Sequence, residues 1–200
     1  MFFKGIPQSF LKIALFVLIV AAFSGCAENL RSVLSHPQGR AERVDAYLSE
    51  FCSPTLRQSR IGEAIRNVMM RLPVDALAVV LDRRRPVIFT EVYDSGTARF
   101  ASSSEIIATD RDVPAFQHGM TILKISTALE TAPPEAITGI VAHELAHRVL
   151  DHVRKGHVSC QAEREANRQI KAWGFTKEYE AASQQFGQAK EGHGVASCQE

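Results

Sequence analysis

The sequence predicts an α+β fold, in which a small, mostly antiparallel sheet packs on a pair of helices, with amphipathic helices before it. Apolar residues recur at helical spacing in the first third of the chain and again after residue 132. Between these regions lie short runs rich in Val, Ile, Thr and aromatic residues, the composition of strands. The 200 residues are 46% hydrophobic, which suffices for one domain with a real core.

Residues 1–25 are predicted to be a lipoprotein signal peptide. Two lysines precede an apolar run that is too short to span a bilayer. The run ends in Phe23-Ser24-Gly25-Cys26, which resembles the lipobox of bacterial lipoproteins. That resemblance implies lipidation of Cys26 and, because Ala27 rather than aspartate follows, a lipid anchor on the periplasmic face of the outer membrane. An ordinary cleaved signal peptide and an uncleaved anchor are the alternatives.

The cysteines fit an exported protein. Apart from Cys26, the chain contains Cys52, Cys160 and Cys198, and an oxidising compartment permits one disulfide among the three. A Cys160–Cys198 bond would tie the C-terminal tail to the last long helix, but pairings with Cys52 stay open. The formal net charge of +1 provides no global field for nucleic acid, so no nucleic-acid partner is expected.

The N-terminal region is predicted to be a tether followed by two helices. Pro37 can open the first helix, because a first-turn position needs no N–H, and Val44 and Leu48 lie on its apolar face. The second helix is expected over residues 56–72, and Pro73 ends it. Its apolar stripe consists of Ile61, Ile65, Val68, Met69 and Leu72.

Three or four strands are predicted in the middle of the chain. The candidate runs are Leu77–Leu81, Pro86–Tyr93, Phe100–Ala108 and Met120–Thr127, and turn-prone residues separate them. The basic run at residues 83–85 is interpreted as a solvated turn between two strands.

Two longer helices are predicted after the sheet. A proline pair at residues 133–134 opens the first, and Gly156 is expected to end it. Ser159 can cap the second helix, which should run to Trp173. One more short helix is expected over residues 179–186.

The first of these helices carries the motif His143-Glu144-Leu145-Ala146-His147. Residues four apart lie on one face of a helix, so both imidazoles can reach one metal ion. Zinc accepts imidazole nitrogen and is usually tetrahedral. The sequence therefore predicts His143 and His147 as zinc ligands, with Glu144 beside the metal as the catalytic base that deprotonates water.

A catalytic zinc ion needs a third protein ligand and one open position. Glu163 on the next helix is the best candidate, because an antiparallel helix pair rising about 1.5 Å per residue brings it near the height of the histidines. Glu165 is expected to face elsewhere, since residues two apart do not share a helix face.

Together the two motifs resemble the gluzincin zinc metallopeptidases of the CAAX-prenyl-protease and heat-shock HtpX type, in a minimal soluble form. That family combines HExxH on one helix with ExxAD on the next, which here is Glu163-Arg164-Glu165-Ala166-Asn167. The resemblance covers about residues 76–174, and it implies a minimal gluzincin fold with one zinc ion per chain. Asn167 replaces an aspartate that orients a ligand, so it keeps a hydrogen-bond acceptor but loses the charge.

Two further roles are expected for histidines. His152 matches a histidine that the family commonly has five residues after the second ligand, and a structural role is the simpler interpretation. The transition state needs one more hydrogen-bond donor. His193, between two glycines, is the candidate, with His157, Arg164 and Tyr179 as alternatives.

The predicted function is zinc-dependent hydrolysis of peptide bonds in exported or envelope proteins. The polypeptide substrate would bind as an extended strand, with Met120–Thr127 as the candidate edge. The alternative is a zinc-bound but inactive or latent scaffold or chaperone of the cell envelope, which Asn167 motivates. The predicted division of the chain is signal peptide 1–25, tether and short helix 26–54, zinc metallopeptidase domain 55–178 and C-terminal tail 179–200.

Overall fold

The computed structural model describes residues 30–93, 101–106, 119–152, 154 and 159–186. The helices are α1 Pro37–Phe51, α2 Pro54–Arg57, α3 Arg60–Arg71, α4 Val74–Val80, α5 Pro134–Val149, α6 Cys160–Ala172 and α7 Thr176–Phe186. The strands are β1 Val87–Val92, β2 Ala101–Ile106 and β3 Met120–Ser126, and a 3-10 helix, Thr127–Thr131, follows β3. The predicted α+β class is confirmed. None of the described helices has the length and apolarity needed to cross a bilayer. The predicted signal peptide and Cys26 lie outside the described residues.

The sheet is mixed, with β3 in the centre. β3 runs parallel to β1, with Thr121 opposite Val87, and antiparallel to β2, with Ile125 opposite Ala101. The expectation of a mostly antiparallel sheet is therefore wrong. So is the assignment of Met120–Thr127 as the free edge, because strands pair with β3 on both sides. Burial explains this position, since most side chains of β3 are buried, as a central strand covered on both faces requires.

The run Leu77–Leu81, predicted to be a strand, instead forms most of α4. Pro73 lies at the N-cap of this helix, and Ala76, Leu77 and Val80 are its buried residues. Their spacing fits one face of a helix, and a short apolar run alone cannot separate a buried strand from a buried helix. The packing of these buried side chains against the core therefore decided that this segment is a helix rather than a strand.

The predicted helix over residues 56–72 is divided into α2 and α3. The break occurs because Ser59 caps α3, its hydroxyl accepting the Gly62 N–H at 3.2 Å. The apolar stripe of the predicted helix is confirmed as the buried face of α3 and its C-cap.

The helix α1 belongs to the same core as the sheet. Val44, Tyr47 and Leu48 are buried there. The Val87 N–H at the start of β1 donates to the Tyr47 hydroxyl at 2.7 Å. The helix that the sequence grouped with the tether thus packs directly on the domain.

Two cysteines have defined states. Cys160 is in a disulfide whose partner lies outside the described residues. Cys52 is a buried free thiol, and burial raises its pKa to about 11, so it stays protonated at neutral pH. The pairings that used Cys52 are therefore wrong.

The helix α5 lies at the centre of the molecule, in contact with α3, α4, α6, α7 and β2. Gly139, one turn before His143, lies where α7 approaches α5 closely. A Cβ atom at Gly139 would lie 2.2 Å from the carbonyl oxygen of Glu178 in α7. The backbone of α7 can therefore rest on α5 only where α5 has no side chain.

We expect Gly139→Ala to lower the free energy of unfolding by about 1–3 kcal/mol, because the added methyl group overpacks the α5–α7 contact. Helix propensity alone would favour alanine by about 1 kcal/mol. Urea unfolding of both proteins measures the difference. Gly174→Ala is the control for a backbone effect without a clash, since Gly174 has φ +86° and open space around it. A neutral or stabilising Gly139→Ala would contradict the described packing.

Candidate metal centre

The three predicted metal ligands come together where α5 packs on α6. His143 and His147 lie one turn apart in α5, and Glu163 lies in the first turn of α6. One ligand atom from each side chain lies within 4.8 Å of the others. The histidines are buried, at 5% and 8% exposure, whereas Glu163 is half-buried. These residues therefore form a group that could hold a metal ion, with the carboxylate as its most exposed member.

The distances within the group suit a tetrahedral ion. The two Nε2 atoms of His143 and His147 lie 3.0 Å apart. Glu163 Oε2 lies 3.0 Å from His143 Nε2, and Glu163 Oε1 lies 3.5 Å from His147 Nε2. Ligand bonds of about 2.0–2.1 Å around tetrahedral zinc place neighbouring ligand atoms about 3.3–3.4 Å apart. Shifts of a few tenths of an ångström would fit the group to such an ion.

The charges of the group also favour a bound cation. Burial lowers the pKa of His143, but the hydrogen bond to Glu163 and the charges of Glu144 and Glu163 outweigh burial and raise it. Burial likewise raises the pKa of Glu163, yet its bonds to His143 and His147 hold that pKa far below the usual range. Glu163 is therefore ionised at neutral pH, and its negative charge favours a cation in the space between it and the two rings.

The helix α5 ends earlier than predicted. It stops at Val149 rather than near Gly156, and Asp151 adopts a left-handed backbone with φ 60°. An ion pair with Arg85, at the turn before β1, holds Asp151 there. Glu163 reaches the histidines as predicted, but through a longer connection and a shorter helix than the spacing argument assumed.

His152 and Glu165 lie beside the group. His152 is 3% exposed, and its Nδ1 lies 3.0 Å from Nδ1 of His147. Its Nε2 lies 3.1 Å from Glu165 Oε2. Glu165 is thus not among the three grouped residues, but it is connected to them through His152. The match of His152 to a family position was the only sequence signal for this contact.

Asn167 is buried one turn after Glu163 in α6. Asn167 lies near enough to His143 to contribute to raising the pKa of that ring, although Asn167 Oδ1 and His143 Nδ1 have no hydrogen-bond partner among the described residues. This position suits the predicted role of orienting a ligand, and the neutral amide supplies less charge than a carboxylate would.

Glu144, the predicted base, contacts the sheet. Ser103 in β2 donates its hydroxyl proton to Glu144 Oε2 at 2.5 Å. Sequence reasoning missed Ser103, which lies in a run of three serines. Alternation along a strand points only the middle serine of that run towards α5, and nothing in the sequence showed which face that would be.

The candidates for a transition-state donor are only partly described. His157 and His193 lie outside the described residues. Tyr179 lies in α7 with the Lys171 ammonium 4.5 Å from its ring centroid. The hydrogen bonds described for His143, His147 and Glu163 do not involve these candidates. The identity of the transition-state donor therefore stays a prediction.

Comparisons with protein families, with curated proteins and with solved structures found no match. The function of this chain must therefore be inferred from its own residues and their geometry. The gluzincin resemblance stays an expectation drawn from the two motifs.

We expect the chain to bind one Zn²⁺ ion, and Glu163→Ala to weaken that binding. Loss of a residue that merely supports a ligand costs about 10–100-fold in affinity, so loss of a ligand should cost at least about 100-fold. Competition with a chromogenic chelator measures the zinc dissociation constant of each protein. Glu180→Ala, which removes an exposed carboxylate from α7, is the control. Equal affinity of all three proteins would exclude Glu163 as a ligand.

Proposed function

We propose that this chain is a zinc-dependent endopeptidase of gluzincin type that acts on exported or envelope proteins. The observation that carries the proposal is the convergence of His143, His147 and Glu163, with Glu144 next to His143 on α5. The cell-envelope location rests on the signal sequence and lipobox alone.

We assign zinc rather than iron, which can use the same donor set, because the two histidines lie in an HExxH helix. Two imidazole nitrogens and one carboxylate oxygen form a common set for catalytic zinc, which keeps a further position open for water or substrate. Calcium and magnesium prefer oxygen ligands in larger number. When bound here, zinc would polarise the scissile carbonyl and lower the pKa of water towards neutrality.

Glu144 supplies the proton chemistry. It follows His143 directly, so it lies beside the group without being one of its three members. Its carboxylate can take the proton of the attacking water and then return that proton to the leaving amine. The hydroxyl of Ser103 holds one carboxylate oxygen, which orients Glu144 and leaves the other oxygen for water.

The substrate would lie along β2 rather than β3. Within the described part of the sheet, β2 pairs only with β3 and has one free side. A free strand edge can accept an extended peptide through main-chain hydrogen bonds. The contact between Ser103 and Glu144 places β2 beside the candidate metal centre. A peptide paired with the free edge of β2 would therefore pass close to Glu144.

We expect Glu144→Gln to lower kcat for casein cleavage by about 10²–10⁴-fold, because glutamine cannot accept the proton. Zinc content should stay at the wild-type level, since Glu144 is not a ligand. Cleavage and zinc content are measured on the same samples.

Wild-type protein that holds zinc but cleaves nothing would favour the alternative function, a latent or inactive scaffold of the cell envelope. A scaffold role would survive Glu144→Gln, whereas a peptidase role would not. Full cleavage by the variant would exclude Glu144 as the base.

We expect Ser103→Ala to lower kcat about tenfold, which corresponds to about 1.4 kcal/mol, because Glu144 loses the hydrogen bond that orients it. Ser104→Ala is the matched control, since neighbouring residues of a strand face opposite sides. Steady-state cleavage at equal zinc content separates the two. Similar effects of both changes would mean that the strand, and not the hydroxyl, matters.

A further inference from the structure

A line of three side chains leads from the metal centre towards solvent. His147 contributes Nε2 to the centre, and its second ring nitrogen, Nδ1, lies 3.0 Å from Nδ1 of His152. On the far side of the His152 ring, Nε2 lies 3.1 Å from Glu165 Oε2. His152 is buried, whereas the Glu165 side chain is 36% exposed.

If His147 binds a metal ion, the protons on the ring nitrogens along this line can be placed in only one way. A ligating Nε2 offers its lone pair, so the ring proton must be on Nδ1. That proton can be donated only if His152 Nδ1 accepts it, which puts the proton of neutral His152 on Nε2. Nε2–H then donates to the carboxylate of Glu165. In each ring, one nitrogen thus donates a hydrogen bond through its N–H. The other nitrogen offers its lone pair, to the metal ion in His147 and to the N–H of His147 in His152.

The backbone brings His152 into place. After α5 ends, Asp151 adopts the left-handed conformation, and the His152 N–H donates to the carbonyl of His147 at 3.0 Å. This is the pattern of a helix terminator that glycine usually provides. A left-handed residue other than glycine is uncommon, although aspartate tolerates it better than most. The turn folds the chain back so that His152 faces the ring of His147.

Glu165 is fixed from a second direction. The Gln161 side chain, one turn earlier in α6, donates to Glu165 Oε1 at 2.9 Å. His152 contacts the other carboxylate oxygen. Both oxygens are therefore engaged, and the carboxylate is held towards His152 although much of the side chain is exposed.

We infer that His152 and Glu165 are positioning residues of the metal centre, which hold His147 in the tautomer and orientation that bind the ion through Nε2. The inference rests on the proposed metal centre and adds two residues beyond its ligands and base. A metal-bound histidine almost always donates its other N–H to an acceptor, and the partner raises the basicity of the ligand. Here the acceptor is a second histidine, backed by a carboxylate.

The test compares zinc affinity among variants of the full chain. His152→Leu removes the acceptor, whereas His152→Asn keeps an acceptor oxygen close to the position of Nδ1. Glu165→Ala removes the carboxylate that contacts His152. Because this side chain is partly exposed, the substitution leaves the core intact. Glu180→Ala is the control for loss of a carboxylate. Chelator competition gives the zinc affinity, the Co²⁺-substituted proteins give a ligand-field spectrum, and metal-free melting temperatures report folding.

We expect His152→Leu to weaken zinc binding about 10–100-fold and Glu165→Ala to weaken it about tenfold. His152→Asn should recover most of the loss, and the control should match wild type. The Co²⁺ spectrum should change in His152→Leu, because the ring of His147 is no longer held. If His152→Leu does not fold, the test rests on Glu165→Ala alone. Its zinc affinity then decides the inference, provided that its metal-free melting temperature equals that of the wild type.

Wild-type affinity in His152→Leu and Glu165→Ala would overturn the inference and leave the proposed peptidase intact. Reduced affinity in both variants of a chain that cleaves nothing would support the inference and count against the peptidase. Absence of zinc binding by the wild-type chain would overturn both.

Discussion

The structure depends on one buried helix that serves both the core and the candidate site. Five other elements pack on α5, and eleven of its sixteen residues are buried. A helix enclosed in this way cannot turn or slide without breaking contacts on every side. His143 and His147 therefore keep fixed directions, and a metal ion would meet rings that the core already holds in place. The contact at Gly139 belongs to the same constraint, since it sets the approach of α7 one turn from the first histidine.

Burying a polar helix face requires partners for its side chains, and the structure supplies them on two sides. On one side, His147 meets His152, and Glu163 meets the Nε2 atom of each ligand histidine. On another side, Arg148, only 5% exposed, donates to the carbonyl of Arg85 at 2.9 Å. A buried charge without such partners would cost several kcal/mol. The polar contacts that could bind a metal ion are thus also required for α5 to be buried.

The end of α5 shows how local conformation and site chemistry are joined. The sequence indicated Gly156 as the natural stop, because glycine adopts the left-handed conformation without strain. The chain uses Asp151 instead, since its carboxylate pairs with Arg85 and its backbone directs His152 towards His147. Helix propensities do not predict this end, because the compensating contact comes from the turn before β1, far away in the sequence.

The order of the amino acids was sufficient to predict the α+β class, most of the helices, and the grouping of His143, His147 and Glu163. These depend on residue spacing along a helix and on the preferences of residues at helix ends, which are local properties. Packing of the folded chain decided instead that Leu77–Leu81 is mostly helical and that β3 is central. It also decided that Ser103 contacts Glu144 and that Glu165 reaches the centre through His152. Each of these depends on which surfaces become buried against one another, and side chains distant in the sequence meet only after the chain has packed.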